Sequence, residues 1–329
     1  MRKLLIVTVI ALSLFSACSK ENEKTVNDKT AEKKTVTKEH KSIKVGKGPD
    51  ALFLHPDEKT LYVANVEDNF ISVINTESEK VIGKIEGIKY PWGFTRLGES
   101  NLVAVSGYDK QLVIIDFSKN KIVKEKNFTS NLGGITSTKD GKFIFVVETN
   151  KNSALKLDAS TLKIIDSYEA GNAPDGIGIS KDDKKIYTTN TKDGTISVIS
   201  TLNKKSKVLE VGGKPELIHS NKDNSVLFIS NFKLNKIHII DTETDKIIHE
   251  LTELDSPEEA VLSKSGEILY VVNFAGKKVY TYNTSNFERL NNEYSVGNKP
   301  IGIVSALNDS KLFVSNYGDN SVTAINLTD

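Results

Sequence analysis

Leu61-Tyr62-Val63-Ala64-Asn65 is a short apolar run that stops on a polar residue, and the chain writes it seven times. The later copies are LVAVS at 102–106, IFVVE at 144–148, IYTTN at 186–190, LFISN at 227–231, LYVVN at 269–273 and LFVSN at 312–316. Their last residues fall at 65, 106, 148, 190, 231, 273 and 316, so each step is 41, 42 or 43 residues. A beat this even decides the architecture before local propensity is weighed, because equal repeats must stack in equivalent ways.

Three further beats keep the same phase. A proline opens an apolar run at Pro49, Pro91, Pro174, Pro215, Pro257 and Pro300, with Leu132-Gly133-Gly134 in the matching place of the third repeat. A third run, as at 71–75 and 237–241, mostly ends in Asp or Asn, and a fourth follows in six repeats, as at 80–85 and 246–249. Between runs stand Pro56-Asp57-Glu58, Lys139-Asp140-Gly141, Lys181-Asp182-Asp183 and Lys264-Ser265-Gly266. Short polar side chains bond their own backbone there and Gly accepts positive φ, so these are turns. No sustained 3.6-residue apolar period appears in the repeats, which disfavours helix. Four short strands per repeat, seven times, predict an all-β fold: a seven-bladed β-propeller of four-stranded antiparallel blades.

The seventh repeat ends at Asp329, after its third strand. The stretch 42–46 before the first proline matches 207–212 before the fifth. An N-terminal strand near 41–46 is therefore expected to close the last blade and remove an open sheet edge.

The chain opens with Met1-Arg2-Lys3, a mostly apolar run over 4–15, and then Ser16-Ala17-Cys18. Twelve residues are too few for a permanent span, so 1–17 reads as an export signal. Phe15-Ser16-Ala17-Cys18 resembles the lipobox of bacterial lipoproteins, which implies cleavage before Cys18 and lipidation of its thiol. An ordinary signal peptide with an incidental cysteine is the plainer alternative. Cys18 is the only cysteine, so the mature fold has no disulfide and no catalytic thiol. Residues 18–40 are Lys, Glu, Asn and Thr with little apolar content, which reads as a flexible tether of ~25 Å root-mean-square reach. The propeller is then assigned to 41–329, held on the extracytoplasmic side of a membrane through Cys18.

Formal charge is +1, and loss of Arg2 and Lys3 with the leader takes it to −1. A near-neutral chain sets up no global field to steer nucleic acid, and none is expected as a partner.

The phrase Gly46-Lys47-Gly48-Pro49, then 61–65, then Ile71-Ser72-Val73-Ile74-Asn75 resembles the YVTN family of β-propeller repeats. It returns in phase at 171–174 with 186–190 and 196–200, and at 297–300 with 312–316 and 322–326. Repeats two and three match least, closing on Ser106 and Glu148. The resemblance covers about 41–329 and implies seven-bladed propellers at bacterial and archaeal surfaces, many without assigned activity. Some propellers of this style carry haem, copper or quinone chemistry. The five histidines, His40, His55, His219, His238 and His249, occupy non-equivalent repeat positions, which argues against convergence on one metal.

In this repeat phase the proline opens the innermost strand, so the next residue should ring one mouth of the central channel. Those residues are Asp50, Trp92, Gly133, Asp175, Glu216, Glu258 and Ile301, with Glu259 adjacent. Loops after the second strand add Tyr108, Phe232, Phe274 and Tyr317, with Asn65, Asn190, Asn231, Asn273 and Asn316 at their bases. An acidic mouth rimmed by aromatic rings suits a cationic group, a sugar stacked on Trp92, or a divalent cation such as Ca²⁺ held by Asp50, Asp175, Glu216 and Glu258. Against this, the carboxylates would serve equally as acceptors for amides of neighbouring blades, and the asparagines as turn caps. Gly-x-Ser-x-Gly and a phosphate-binding Gly loop are both absent. The expected role is a binding or scaffolding module for a protein, glycan or small ligand, with no catalytic residue assigned. The alternatives are a metal-dependent hydrolase or lactonase using the same acidic ring, and a purely structural role.

Overall fold

The computed structural model describes residues 40–327. The leader, Cys18 and all but the last residue of the tether lie outside them. Within that range the chain forms seven four-stranded antiparallel sheets arranged as blades. Blade one comprises Pro49–Leu54, Thr60–Asn65, Phe70–Asn75 and Lys80–Glu86, and the next five repeat this order outward from the proline strand. In blade seven Pro300–Ala306, Lys311–Asn316 and Ser321–Asn326 are completed by Lys41–Lys44. Ile43 pairs with Val322 and Lys41 with Ala324, so the chain's own beginning zips its end. Among the described residues no helix is long and apolar enough to cross a membrane.

The second strands are near-continuous apolar runs because both their faces are covered by adjoining blades. Leu61, Val63 and Ala64 are fully buried, as are Ile144, Val146 and Val147. A sheet wet on one side would show alternation instead. Apolar clusters fill each gap between successive blades: Tyr62, Ile71 and Val105 lie between blades one and two, and Ile43, Leu61 and Phe313 between seven and one. Burial of each such side chain stabilises by about 1.5–3 kcal/mol. Tyr62 stacks on Phe117 of the next blade with ring centroids 3.7 Å apart, while its hydroxyl donates to Asn120 Oδ1 at 2.9 Å. The outer strands have no further neighbour, which leaves Ile82 and Ile248 in solvent.

Two devices join blade to blade near the prolines. The residue before Pro49, Pro91, Pro174 and Pro257 takes positive φ, and its amide donates to an Asn of the preceding blade. The pairs are Gly48 with Asn320, Tyr90 with Asn69, Ala173 with Asn152 and Ser256 with Asn235, at 2.8 to 3.1 Å. Secondly, Gly171 and Gly297 pass against Asn190 and Asn316, where an added Cβ would come within 2.5 and 2.6 Å of the amide carbon or nearer neighbours. That contact is why the Gly-x-x-Pro phrase and the strand-ending Asn travel together.

Candidate functional site

Each innermost strand carries a bulge just after its first residue. Pro49 pairs with Asn65 and the next partner pair is Leu52 with Val63, so Asp50 and Ala51 together oppose Ala64. The same shift follows Pro174, Pro215, Pro257 and Pro300, and in blade two Trp92 alone is the extra residue. Proline at a strand's first position forgoes no ladder bond, and a bulge turns the next side chain aside from the sheet. The backbone of the bulge is tied across blades by hydroxyls. Ser315 Oγ donates to the Asp50 carbonyl at 2.6 Å and accepts the Gly302 amide at 2.8 Å; Thr189 does the same for Glu216 and Gly176 at 2.5 and 2.7 Å.

These turned-out residues meet at one end of the channel. Asp50, Trp92, Asp175, Glu216, Glu258 and Ile301, with Leu217, line a cavity of about 120 Å³. Outside it, a cleft of about 390 Å³ is walled by Tyr90, Trp92, Tyr108, Asp175, Lys214 and Glu216, among others. Tyr90, Trp92 and Tyr108 pack with centroids 5.6 to 6.2 Å apart. Of the other expected aromatic residues, Phe232 and Phe274 pair edge-on at 5.6 Å, and the Tyr317 hydroxyl donates to the Glu67 carboxylate. Gly133 lies against the Asp175 carbonyl, 2.8 Å from where a Cβ would be, so this ring position serves packing.

The carboxyl groups differ in their partners. Glu216 is paired with the Lys214 ammonium, which also sits 5.7 Å from the centre of the Phe232 ring. Glu259 accepts the Ile303 amide at 2.8 Å and lies 3.3 Å from His219 Nε2, as a carboxylate serving the neighbouring blade would. Asp50, Asp175 and Glu258 have no hydrogen-bond or ion-pair partner for their carboxyl oxygens among the described residues, and Asp50 is only 8 % exposed.

Electrostatics follow from that crowding. Burial, reinforced by the Asp175 charge, pushes Asp50 up to about 7. Burial and the Glu216 charge push Asp175 up to about 6, although Lys214 pulls it back. Glu258 is raised well above the ordinary glutamate range, first by burial and then by Glu216 and Asp50. Burial takes Glu259 to about 8 against the opposing Ile303 hydrogen bond, and lowers His219 to about 4. Burial also works against the Lys214 ammonium, but the hydrogen bond and charge of Glu216 prevail and raise its pKa. The mouth is therefore a place where negative charge forms reluctantly and a cation would be drawn in.

Among the described residues no three His, Cys, Asp or Glu side chains stand in a group that would hold a metal ion. Asp50, Asp175, Glu216 and Glu258 share the mouth without forming a ready-made chelating cage. The asparagines at the strand ends cap loops: Asn190 and Asn316 accept the Gly171 and Gly297 amides at 3.0 and 2.9 Å and donate to hydroxyls on the third strand. The histidines are scattered: His238 is buried between Glu250 and Asn231, His249 stacks on Phe287, and His40 packs edge-on to Tyr294 at 6.5 Å. Sequence reasoning missed Tyr90, Lys214 and His219. Tyr90 and Lys214 shared one signal, a place directly before a proline, and His219 had none.

The fold and this mouth define a seven-bladed β-propeller. The model of the YNCE-like beta-propeller family matches residues 101–205, which run from the second strand of blade two into the turn after the third strand of blade four. No curated protein matches the chain. Hydrazine synthase of Kuenenia stuttgartiensis is a similar solved structure, with TM-score 0.75 and 16 % identity over 85 % of this chain and 96 % of that one. The beta-propeller domain of Cps50 (Swd1) from Myceliophteria thermophila is another, with TM-score 0.74 and 11 % identity over 88 % and 98 %. At these identities the likeness is one of fold.

Proposed function

We propose that this chain is a lipid-anchored extracytoplasmic binding or scaffolding module whose channel mouth receives a positively charged group. One observation carries the reading of the mouth: Asp50, Asp175 and Glu258 face a common cavity without partners among the described residues, beside the Tyr90–Trp92–Tyr108 rings. Asp50 is buried and Asp175 and Glu258 are half-buried; carboxyls so desolvated and unpaired favour a ligand that brings positive charge, and aromatic faces add attraction for a cation. The anchor rests on the lipobox-like stretch ending at Cys18. Cell fractionation with radiolabelled palmitate tests it; label retained in Cys18→Ser would overturn it.

For the mouth, melting temperatures of wild type and of Asp50→Asn/Glu258→Gln are compared with methylammonium, Ca²⁺, Mg²⁺ and Zn²⁺. A saturable upward shift in wild type, absent in the variant, supports the reading, and no shift with any cation contradicts it. A second reading, metal-dependent hydrolysis, is favoured by one feature: burial and the Asp175 charge push Asp50 up to about 7, the range in which a general acid or base works best. It requires turnover abolished by EDTA and by Asp50→Asn alike.

A further inference from the structure

Beneath the mouth the channel continues as a cavity of about 230 Å³, and the two share Asp50, Trp92, Leu217 and Ile301. Its walls are mainly apolar, from Phe53, Phe94, Ile135, Ile177 and Ile218. At its depth the polar groups His219 and Glu259 already satisfy each other and the Ile303 amide. An apolar cavity of about 150 Å³ is enough to take up benzene. Above these walls stands Asp50, more than nine-tenths buried, lining both cavities and unpartnered among the described residues. A carboxyl without a protein partner at the neck of an apolar pocket suits a ligand with charge at one end only.

We propose that mouth and channel together form one site for a primary amine bearing a compact apolar body, its ammonium among Asp50, Asp175 and Glu258 and its body between Phe53, Phe94 and Ile135. This rests on the mouth being a cation site and adds what the cation is attached to. A polyamine suits the channel poorly, because a second ammonium would lie among isoleucines with only the engaged Glu259 for company. A bare divalent ion leaves the channel unused. The depth admits about six to eight carbons, by comparison with the benzene-sized case.

The test uses the purified full-length chain carrying Cys18→Ser, so that no lipid chain on residue 18 competes for the probes. Emission of Trp92, the single tryptophan, reports on the shared wall. Methylamine, butylamine, hexylamine and 1-hexanol are titrated at pH 8. Affinity is expected to rise at least tenfold from methylamine to hexylamine, and hexanol to bind at least tenfold more weakly than hexylamine. Equal affinity for the amines overturns the channel claim while the mouth reading stands. Hexanol binding as tightly as hexylamine overturns the pairing of charge with apolar body. Binding of no amine at all removes the mouth reading as well. Ala51→Phe, which fills the channel wall, should bring the hexylamine-to-methylamine ratio towards one; if it fails to fold, the wild-type series still decides.

Discussion

The side-chain oxygen of Asn69 accepts the backbone amide of Tyr90 at 2.8 Å and so lets blade one set the backbone at the entrance of blade two. Tyr90 has φ of 47° directly before Pro91, a conformation that a non-glycine residue adopts only when its surroundings impose it. Its ring completes the aromatic wall with Trp92 and Tyr108. Loss of the Asn69 acceptor should therefore disturb stability and site together. Asn69→Ala is expected to lower stability by ~1–2 kcal/mol and to alter Trp92 emission. Asn235→Ala, the equivalent change at Ser256, should match it in stability and leave the emission unchanged. Equal emission changes in both variants would show that Tyr90 is positioned some other way.

Ring closure depends on Glu79. This residue of blade one meets the Lys311 ammonium and, 3.1 Å away, that of Lys41, so it holds two strands of blade seven at once. Lys311 and Glu79 are only 16 % and 12 % exposed at the side chain, so the pair is not a surface ornament. Glu79→Ala leaves Lys311 without its partner in a partly buried setting and should cost ~1–3 kcal/mol. Deleting 41–44 removes the whole outer strand and exposes the edge of Ser321–Asn326, so it should lower the melting temperature far more than Glu79→Ala. A deletion no worse than the point change would contradict the closure.

The mouth should make the fold sensitive to pH. Asp50 titrates near 7 in the fold and near 3.9 when unfolded, so between those values the native state holds a proton that the unfolded state has lost. Stability then falls as pH rises through this window and levels off above about 7. Asp175 and Glu258 act in the same direction, while His219, lowered to about 4, acts oppositely up to its ordinary value near 6.5. Comparing a variant with wild type isolates one group. Asp50→Asn should be neutral at pH 4 and more stable than wild type by ~1–3 kcal/mol at pH 8, less than the full shift implies because water in the mouth relaxes the charge. An equal effect at both pH values would mean the carboxyl is not held protonated.

The seven blades, the four strands of each and the closing N-terminal strand were legible because every repeat restates the same pattern, and seven copies average out local noise. The mouth position of Asp50, Trp92, Asp175, Glu216 and Glu258 was legible for the same reason, through the phase of the prolines. Side-chain direction further along the innermost strand was not. The bulge after each proline breaks the two-residue alternation, so nothing in the sequence tells that His219 faces the channel. Pairings between loops were equally hidden: Phe232 and Phe274 resemble rim residues in sequence but satisfy each other, and Lys214 reads as a surface lysine until Glu216 is beside it. The ring contact of Phe232 with Phe274 joins different blades, and the repeat carries no information on which loop residues will meet.

The proposal that the mouth binds a cation is tested most directly by titrating methylammonium at pH 8 while following the emission of Trp92, which stands in the same cavity wall as Asp50 and Glu258. A saturable change should appear in wild type, grow several-fold tighter in Lys214→Ala, where the resident ammonium is gone, and vanish in Asp50→Asn/Glu258→Gln. No saturable change in wild type, or the same curve in the double amide variant, would contradict it.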